Sequence, residues 1–417
     1  QLAGHAPQVA QEHGWTAVEA RTLRAMGLSA YYAGNPGQAR TFFAEALQRY
    51  IELGDRQGES MAINNLGGAS FNLGEYAAAQ EYYTRSLLLS REIGDRLGEG
   101  RASNNLGIVS VAMGQYARAE AYYLDGLRIC REIGHRSFEV SSLDNLGNLA
   151  LYRYQFSRAQ DYHSRSLQTA REIGDRMVER FAIVNSGHGR LLVGDYEGAY
   201  AFFQESLALN IGFNDPQGKA HSLFNLCTYF LELGDIEEAA RHGQLSLELT
   251  RENELPSEEA WSLHALGFVY LAQGLLEQAA DVFGQALRIR KELGEPRETV
   301  ESQAALALAY LRQDKLQPAQ ELVEQTLTYI EAQGVEGFDQ PARIFLTCFL
   351  VLQRLGDPRA GDVLQRGVQL IQDAAAQIED PSQRRSYLQA VPHNRELLQA
   401  WEAAGRRDTE RKENAEG

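Results

Sequence analysis

Residues 55–94 read DRQGESMAINNLGGASFNLGEYAAAQEYYTRSLLLSREIG, and residues 95–134 read DRLGEGRASNNLGIVSVAMGQYARAEAYYLDGLRICREIG. The second line is the first one moved on by 40 positions without an insertion. Outward from this pair the register holds for eight units. Alanine stands at Ala39, Ala79, Ala119, Ala159, Ala199, Ala239, Ala279 and Ala319, and leucine at Leu47, Leu87, Leu127, Leu167, Leu207, Leu247, Leu287 and Leu327. A third column holds Gly27, Gly67, Gly107, Gly147, Gly187 and Gly267, broken by Cys227 and Ala307. A fixed period of this length marks a solenoid, in which each unit buries its apolar face against its neighbours.

Within one unit, Asp55 precedes Ala62, Ile63, Leu66 and Leu73, the spacing of an α-helical face. Gly74 suits the left-handed residue that ends a helix. A second helix is predicted from Tyr76, with Ala79, Tyr82, Tyr83, Leu87 and Ser90 inward, closing at Gly94 before the next cap at Asp95. Pro216, Pro256 and Pro296 all follow the cap column, where a missing N–H costs nothing. No strand alternation is present. Small residues such as Gly67 and Ala79 let the paired axes approach closely. The aromatic pairs Tyr82–Tyr83, Tyr122–Tyr123 and Phe202–Phe203 are expected to fill space toward the neighbouring unit. A ligand cage is the other use of such a stripe, but helical spacing favours core.

Leu66–Gly67, Ala79 and Tyr83, set in helix–turn–helix units, resemble tetratricopeptide repeats. The 40-residue length and the joints Gly54–Asp55–Arg56, Gly94–Asp95–Arg96 and Gly174–Asp175–Arg176 are similar to the longer-helix subclass. That subclass occurs in bacterial STAND-type signalling ATPases and in animal spindle-orientation scaffolds. The resemblance covers roughly residues 15–378 and implies an all-α, right-handed superhelical solenoid with a C-terminal capping helix. It says little about function, because the fold serves many unrelated partners.

The expected organisation runs as follows. Residues 1–14 align with the second helix of a truncated preceding repeat, which suggests a piece of a longer chain. Eight units span 15–334, and a degenerate ninth spans 335–378 after a one-residue slip through Val335–Pro341. Residues 379–404 form the cap, starting at Asp380–Pro381–Ser382 and interrupted near Pro392, and the polar stretch 405–417 is expected to be disordered. The middle of the array is less strict. Tyr154 replaces Gly in repeat four, Ser186 replaces the column Leu in repeat five, and Cys227 replaces Gly in repeat six. These departures mark either a specialised surface or drift.

Of 417 residues, 44% are hydrophobic and 23% charged, with a net charge of −16. The acidity argues against nucleic acid or an anionic membrane as partner, since phosphate binding needs clustered Lys and Arg. No apolar run reaches membrane-spanning length. Cys130, Cys227 and Cys348 lie far apart in no ligand or disulfide spacing, which fits a reducing cytoplasm.

One polar column stands out on the first helices: Asn65, Asn105, Asn145, Asn185 and Asn225. In tetratricopeptide arrays this offset faces the concave groove. An amide carries both a donor and an acceptor and so matches a peptide unit. Rungs about 10 Å apart would meet every third residue of an extended chain rising roughly 3.3 Å per residue. Selectivity would then come from Asn64, Arg101, Asn104, Asp144, Asn148, Tyr152, Phe181 and His188. Bonding between neighbouring repeats is the competing role for the column.

No phosphate loop, paired-cysteine zinc pattern or His-x-x-x-His spacing is present. His188, His221 and His264 face the same groove but are a unit apart, so neither a metal nor a cofactor is expected, nor an enzyme. The expected function is a protein- or peptide-binding module, the sensor or scaffold part of a signalling protein. A metabolite sensor and a self-assembling homodimer scaffold are the alternatives.

Overall fold

The computed structural model describes residues 6–416, with side chains described for residues 14–404. Every regular element among them is an α-helix. The repeats pair Ala6–Tyr32 with Pro36–Leu53, Arg56–Asn72 with Tyr76–Glu92, Arg96–Ala112 with Tyr116–Glu132, and Arg136–Tyr152 with Phe156–Ile173. Repeats five to eight pair Arg176–Leu192 with Tyr196–Gly212, Pro216–Leu233 with Ile236–Glu252, Pro256–Ala272 with Leu276–Leu293, and Pro296–Arg312 with Leu316–Gln333. A ninth pair, Pro341–Leu355 and Ala360–Ala376, is followed by Pro381–Gln389 and Pro392–Glu416. From Ala6–Tyr32 to Tyr116–Glu132, and again from Phe156–Ile173 onward, consecutive helices pack on one another, so the chain is all-α and built of helix–turn–helix units. It divides into two compact units, residues 1–149 and 150–417.

The punctuation of the sequence acts as expected. Asp55 and Asp95 each accept the backbone N–H three residues on at 2.9 Å, satisfying one of the orphan donors at a helix start. Pro216, Pro256 and Pro296 open their helices. At the N-terminus, however, one helix runs from Ala6 to Tyr32 straight through Gly14, where a boundary was expected. Nothing in Glu12–Thr16 stops a helix except a single glycine, which a helix tolerates for about 1 kcal/mol. Residues 1–5 of the expected truncated helix lie outside the described residues. The backbone of 405–416 continues the last helix where a disordered tail was expected, and Gly417 lies outside the described residues.

The glycine column is explained by the ring sixteen positions later. A Cβ built on Gly67 would lie 2.7 Å from the Tyr83 ring, and one on Gly107 2.3 Å from Tyr123. The same pairing joins Gly27 to Phe43, Gly187 to Phe203 and Gly267 to Phe283. The second aromatic of each pair therefore packs against the glycine of its own repeat and also toward the next, as expected: Tyr83 shares an apolar cluster with Ala102, Leu106 and Val109. Repeat six swaps the pair: Cys227 stands on the first helix, and Gly243 faces its Sγ at 3.0 Å. Repeat eight settles on Ala307 and Val323, both fully buried.

Neighbouring repeats are joined by a column of buried glutamates. Glu99 is gripped by Arg91 (2.8 Å) and Arg96, and Glu139 by Arg131 (2.7 Å) and Arg136 (2.9 Å). Glu179 repeats this with Arg171 and Arg176. In each case one arginine comes from the preceding repeat. Each pair of charge-assisted bonds offsets the cost of burying the carboxylate.

Candidate functional site

In the first unit the asparagine column is linked from repeat to repeat. Asn105 Nδ2 donates to Asn64 Oδ1 at 3.0 Å, and Asn145 Nδ2 donates to Asn104 Oδ1 at 3.0 Å. Each amide thus reaches back 41 positions to the other asparagine of the Asn–Asn dipeptide in the preceding repeat. Where that position holds no acceptor the pattern fails. Asn65 looks back to Arg24 and Asn225 to Val184, and both Nδ2 atoms are buried without a partner. In the first unit Asp144 is buried and Asn148 half-buried; in the second, Asn185 is half-buried. The Arg101 guanidinium lies 5.8 Å over the Phe138 ring, an arrangement that holds a long cation in place. The column's bonds between repeats are therefore realised at two positions, and its carbonyls and second N–H groups keep further capacity.

In the second unit the repeats are met by a segment of the chain itself. Tyr154 has φ 58°, a left-handed backbone that is costly for a bulky residue. Its ring is buried, and its hydroxyl donates to the carbonyls of Val335 (2.6 Å) and Phe338 (3.2 Å). The N–H of Gly337 donates to the Tyr152 carbonyl at 3.0 Å. Phe338 is 1% exposed. Asp339 sits with Oδ2 3.4 Å from His188 Nε2 and donates its N–H to Glu301 at 2.9 Å. Arg343 pairs with Glu232 at 2.5 Å and stacks 4.3 Å over Phe268.

The end of the chain is tied to the same early repeats. Ser386 Oγ donates to the Gly194 carbonyl at 2.8 Å, and the Phe156 and Tyr387 rings lie 5.2 Å apart. Ser157 bonds the Gln377 carbonyl and the Glu379 N–H. Tyr154, Phe156 and Val193 share one apolar core with Phe345, Val368 and Leu397. The expected cap therefore packs onto repeats four and five as well as onto the ninth. Of the expected site residues, Tyr152 and His188 are engaged by this internal segment. Phe181 lies outside, 58% exposed, with the Arg180 guanidinium 5.0 Å over its ring.

Burial shapes the electrostatics of this interior. The Glu301 carboxyl is pushed up to about 8, by desolvation first and then by Asp339, although Arg290 at 3.8 Å opposes the shift. His264 and His393 are pushed well below the ordinary histidine range, by desolvation and then by nearby arginines. His264 packs edge-on to Phe268 and Phe283, while His221 lies against Phe224. Among the described residues no three His, Cys, Asp or Glu side chains form a group that could hold a metal ion, and no helix is long and apolar enough to cross a membrane. Two residues that the column pattern flagged only as exceptions have packing partners in the second unit: Tyr154 meets Val335 and Phe338, and Cys227 faces Gly243.

The tetratricopeptide repeat model matches residues 58–132, 102–172 and 258–332. No curated protein sequence matches the chain. Among solved structures, the Rap conjugation gene regulator of plasmid pLS20, in complex with a Phr peptide, is 13% identical with a TM-score of 0.59, covering 84% of this chain and 97% of that one. A STAND protein with a tetratricopeptide repeat sensor from Pyrococcus horikoshii is 14% identical with a TM-score of 0.51, covering 85% of this chain and 54% of that one. A human IFIT1 dimer with m7Gppp-AAAA is 13% identical with a TM-score of 0.53, covering 92% and 89%. At such identities the likeness is one of fold, and the three names show how differently that fold is used.

Proposed function

We propose that this array of tetratricopeptide repeats is a non-enzymatic interaction module, the sensor or scaffold part of a larger cytoplasmic signalling protein, whose first unit takes an extended segment of a protein partner. The observation that carries this reading is the pair of linked amides, Asn105–Asn64 and Asn145–Asn104. Each bond holds two side chains in one rotamer before any partner arrives. A segment bonding to their remaining groups then loses less side-chain entropy on binding. Arg101, steadied by Phe138, adds a cation beside the row.

The second unit supports the same reading by example. There the repeat face already holds the irregular stretch 335–340 through main-chain carbonyls, an inserted Phe338 and an acid–histidine contact. Main-chain hydrogen bonds supply affinity for an extended segment whatever its sequence, and a side-chain pocket supplies selectivity. A Rap conjugation gene regulator of similar fold has been solved in complex with a peptide.

The test is selection of random dodecapeptides on the intact protein, followed by anisotropy titrations of the enriched sequences. Asn145→Ala with Arg101→Ala is expected to weaken binding about tenfold or more with a small change in melting temperature. Absence of any enriched peptide, or affinity unaltered in the double variant, would overturn the proposal.

A further inference from the structure

Three column exceptions meet at one place. On the first helices the Leu column is buried at Leu66, Leu106, Leu146, Leu226 and Leu266, yet repeat five has Ser186. On the second helices the ring column holds Tyr83, Tyr123, Phe203 and Phe283, yet repeat four has His163. Three residues beyond Ser186, where Val109, Leu149, Tyr229 and Val269 stand in other repeats, repeat five has Gly189. A Cβ at Gly189 would meet Leu151 at 3.7 Å, an ordinary contact, so a side chain is not excluded there by crowding. All three residues border a single cavity of about 360 Å³ in the second unit.

We propose that this cavity binds a small aromatic molecule with an anionic end. Its volume lies within the roughly 300–1,000 Å³ of small-molecule pockets. Phe156, Leu167, Val193 and Phe202 give it apolar walls, and such walls favour a flat hydrocarbon body. His163, Ser186, Gln160 and Gln383 place polar groups among them. At the border stand two guanidinium groups, Arg171 and Arg190, against one carboxylate, Glu172. Arg190 uses Nη1 for Asp195 at 2.5 Å and lies 5.4 Å over Phe202, while Arg171 uses Nε and Nη2 for Glu179 and Glu205. A guanidinium has five N–H donors, so both retain some for a carboxylate or sulfonate.

The site is composite. Gln383 belongs to the short helix after repeat nine, and its amide donates to Gln160 Oε1 at 3.4 Å. That helix is held down beside the cavity by Ser386 on Gly194 and by Tyr387 on Phe156. A molecule in the cavity touches repeats four and five together with the end of the chain, and so favours the closed arrangement by its affinity for it. The inference stands apart from the interaction surface of the first unit, which shares no residue with it.

The probe for the test is 8-anilinonaphthalene-1-sulfonate, a fused aromatic anion whose fluorescence rises in apolar surroundings. The intact protein is expected to bind it saturably, one per chain. Ser186→Leu restores the residue of the other repeats and fills the space; it is expected to weaken that binding at least tenfold while the melting temperature holds or rises. Gly189→Val serves the same end should the leucine variant lose its cooperative melt. Arg190→Gln is expected to weaken the sulfonate several-fold and to leave binding of the neutral parent, N-phenyl-1-naphthylamine, within a factor of about two. Absence of saturable binding by the intact protein, or unchanged affinity in the filled variants, would overturn the proposal. An equal loss of both probes in Arg190→Gln would overturn the anionic end.

Discussion

The hydroxyl of Tyr154 donates to the carbonyl of Val335 at 2.6 Å, joining the turn of repeat four to the segment that follows repeat eight. At the corresponding turns the left-handed residue is glycine at Gly74, Gly114, Gly194 and Gly234, and in repeat eight it is the small Asp314. A tyrosine there strains the backbone by about 1–3 kcal/mol. The buried phenol and its two carbonyl partners explain why the strain is tolerated.

Removing only the hydroxyl tests this link. Tyr154→Phe keeps the ring and the strain but orphans two carbonyl partners, and it is expected to destabilise the second unit by about 1–3 kcal/mol. Amide exchange should speed up at Gly337–Asp339 before it does so in the first unit. Exchange unchanged across 335–340 would mean that the phenol holds nothing.

The glycine–ring pairs make a sharper steric test. Gly107→Ala places a methyl 2.3 Å from a Tyr123 ring atom, and overpacking of this kind is expected to cost about 1–3 kcal/mol. Adding Tyr123→Val copies the Ala307–Val323 pair of repeat eight and should recover part of the loss. Chemical denaturation of the two variants measures both effects; additive losses would rule out the pairing as the cause.

Each asparagine bridge has a small structural worth of its own. Asn145→Ala removes the bond to Asn104 and is expected to cost about 0.5–1.5 kcal/mol. At position 225 the amide is already buried without a partner, so Asn225→Leu should be neutral or stabilising. A larger loss at position 225 than at position 145 in thermal melts would contradict this account.

The buried histidines set a pH dependence. His264 and His393 have folded pKa values depressed below about 6.5. The unfolded chain therefore binds protons that the folded chain does not, and stability falls as pH drops below that value. Glu301, raised to about 8, acts in the opposite sense: its carboxyl favours the folded state increasingly as pH falls through 8 toward 4.5. His393→Gln is expected to flatten the decline in melting temperature between pH 6.5 and 5, and Glu301→Gln the decline between pH 6 and 8. Parallel melting curves for wild type and variants would count against both assignments.

Leu127 is 5% exposed in the third repeat. Leu127→Ala is expected to cost roughly 2–5 kcal/mol, and because repeats stabilise mainly their neighbours, the unfolding transition should broaden. A transition as steep as that of the wild type would show that the array unfolds as one.

The sequence was most informative where the physics is local. Caps at Asp55 and Asp95, the helix starts at the three prolines and the buried Ala and Leu columns all follow from signals within a few residues. Helical spacing placed Tyr83 inward and toward the next repeat, where Leu106 meets it, but did not tell that its ring also lies on Gly67 of its own repeat. The Glu99 and Glu139 clamps were legible as a repeated Glu with Arg three before and eight before it, but a charge column reads as a solvated face unless its burial is known. The asparagine column was visible, yet only geometry distinguishes Asn145, whose Nδ2 finds Asn104, from Asn225, whose Nδ2 is buried without a partner.

A 40-residue period by itself determined the all-α architecture, the pairing of helices and the small-residue contacts inside each repeat, because those depend on neighbours the period always supplies. Tertiary structure alone decided that the segment after Gly334 returns to Tyr154, that Ser386 settles on Gly194 and that Ser186 opens a cavity rather than collapsing. Such contacts join residues far apart in the chain. They depend on how small rotations accumulate from one repeat to the next, and no column of the alignment records that sum.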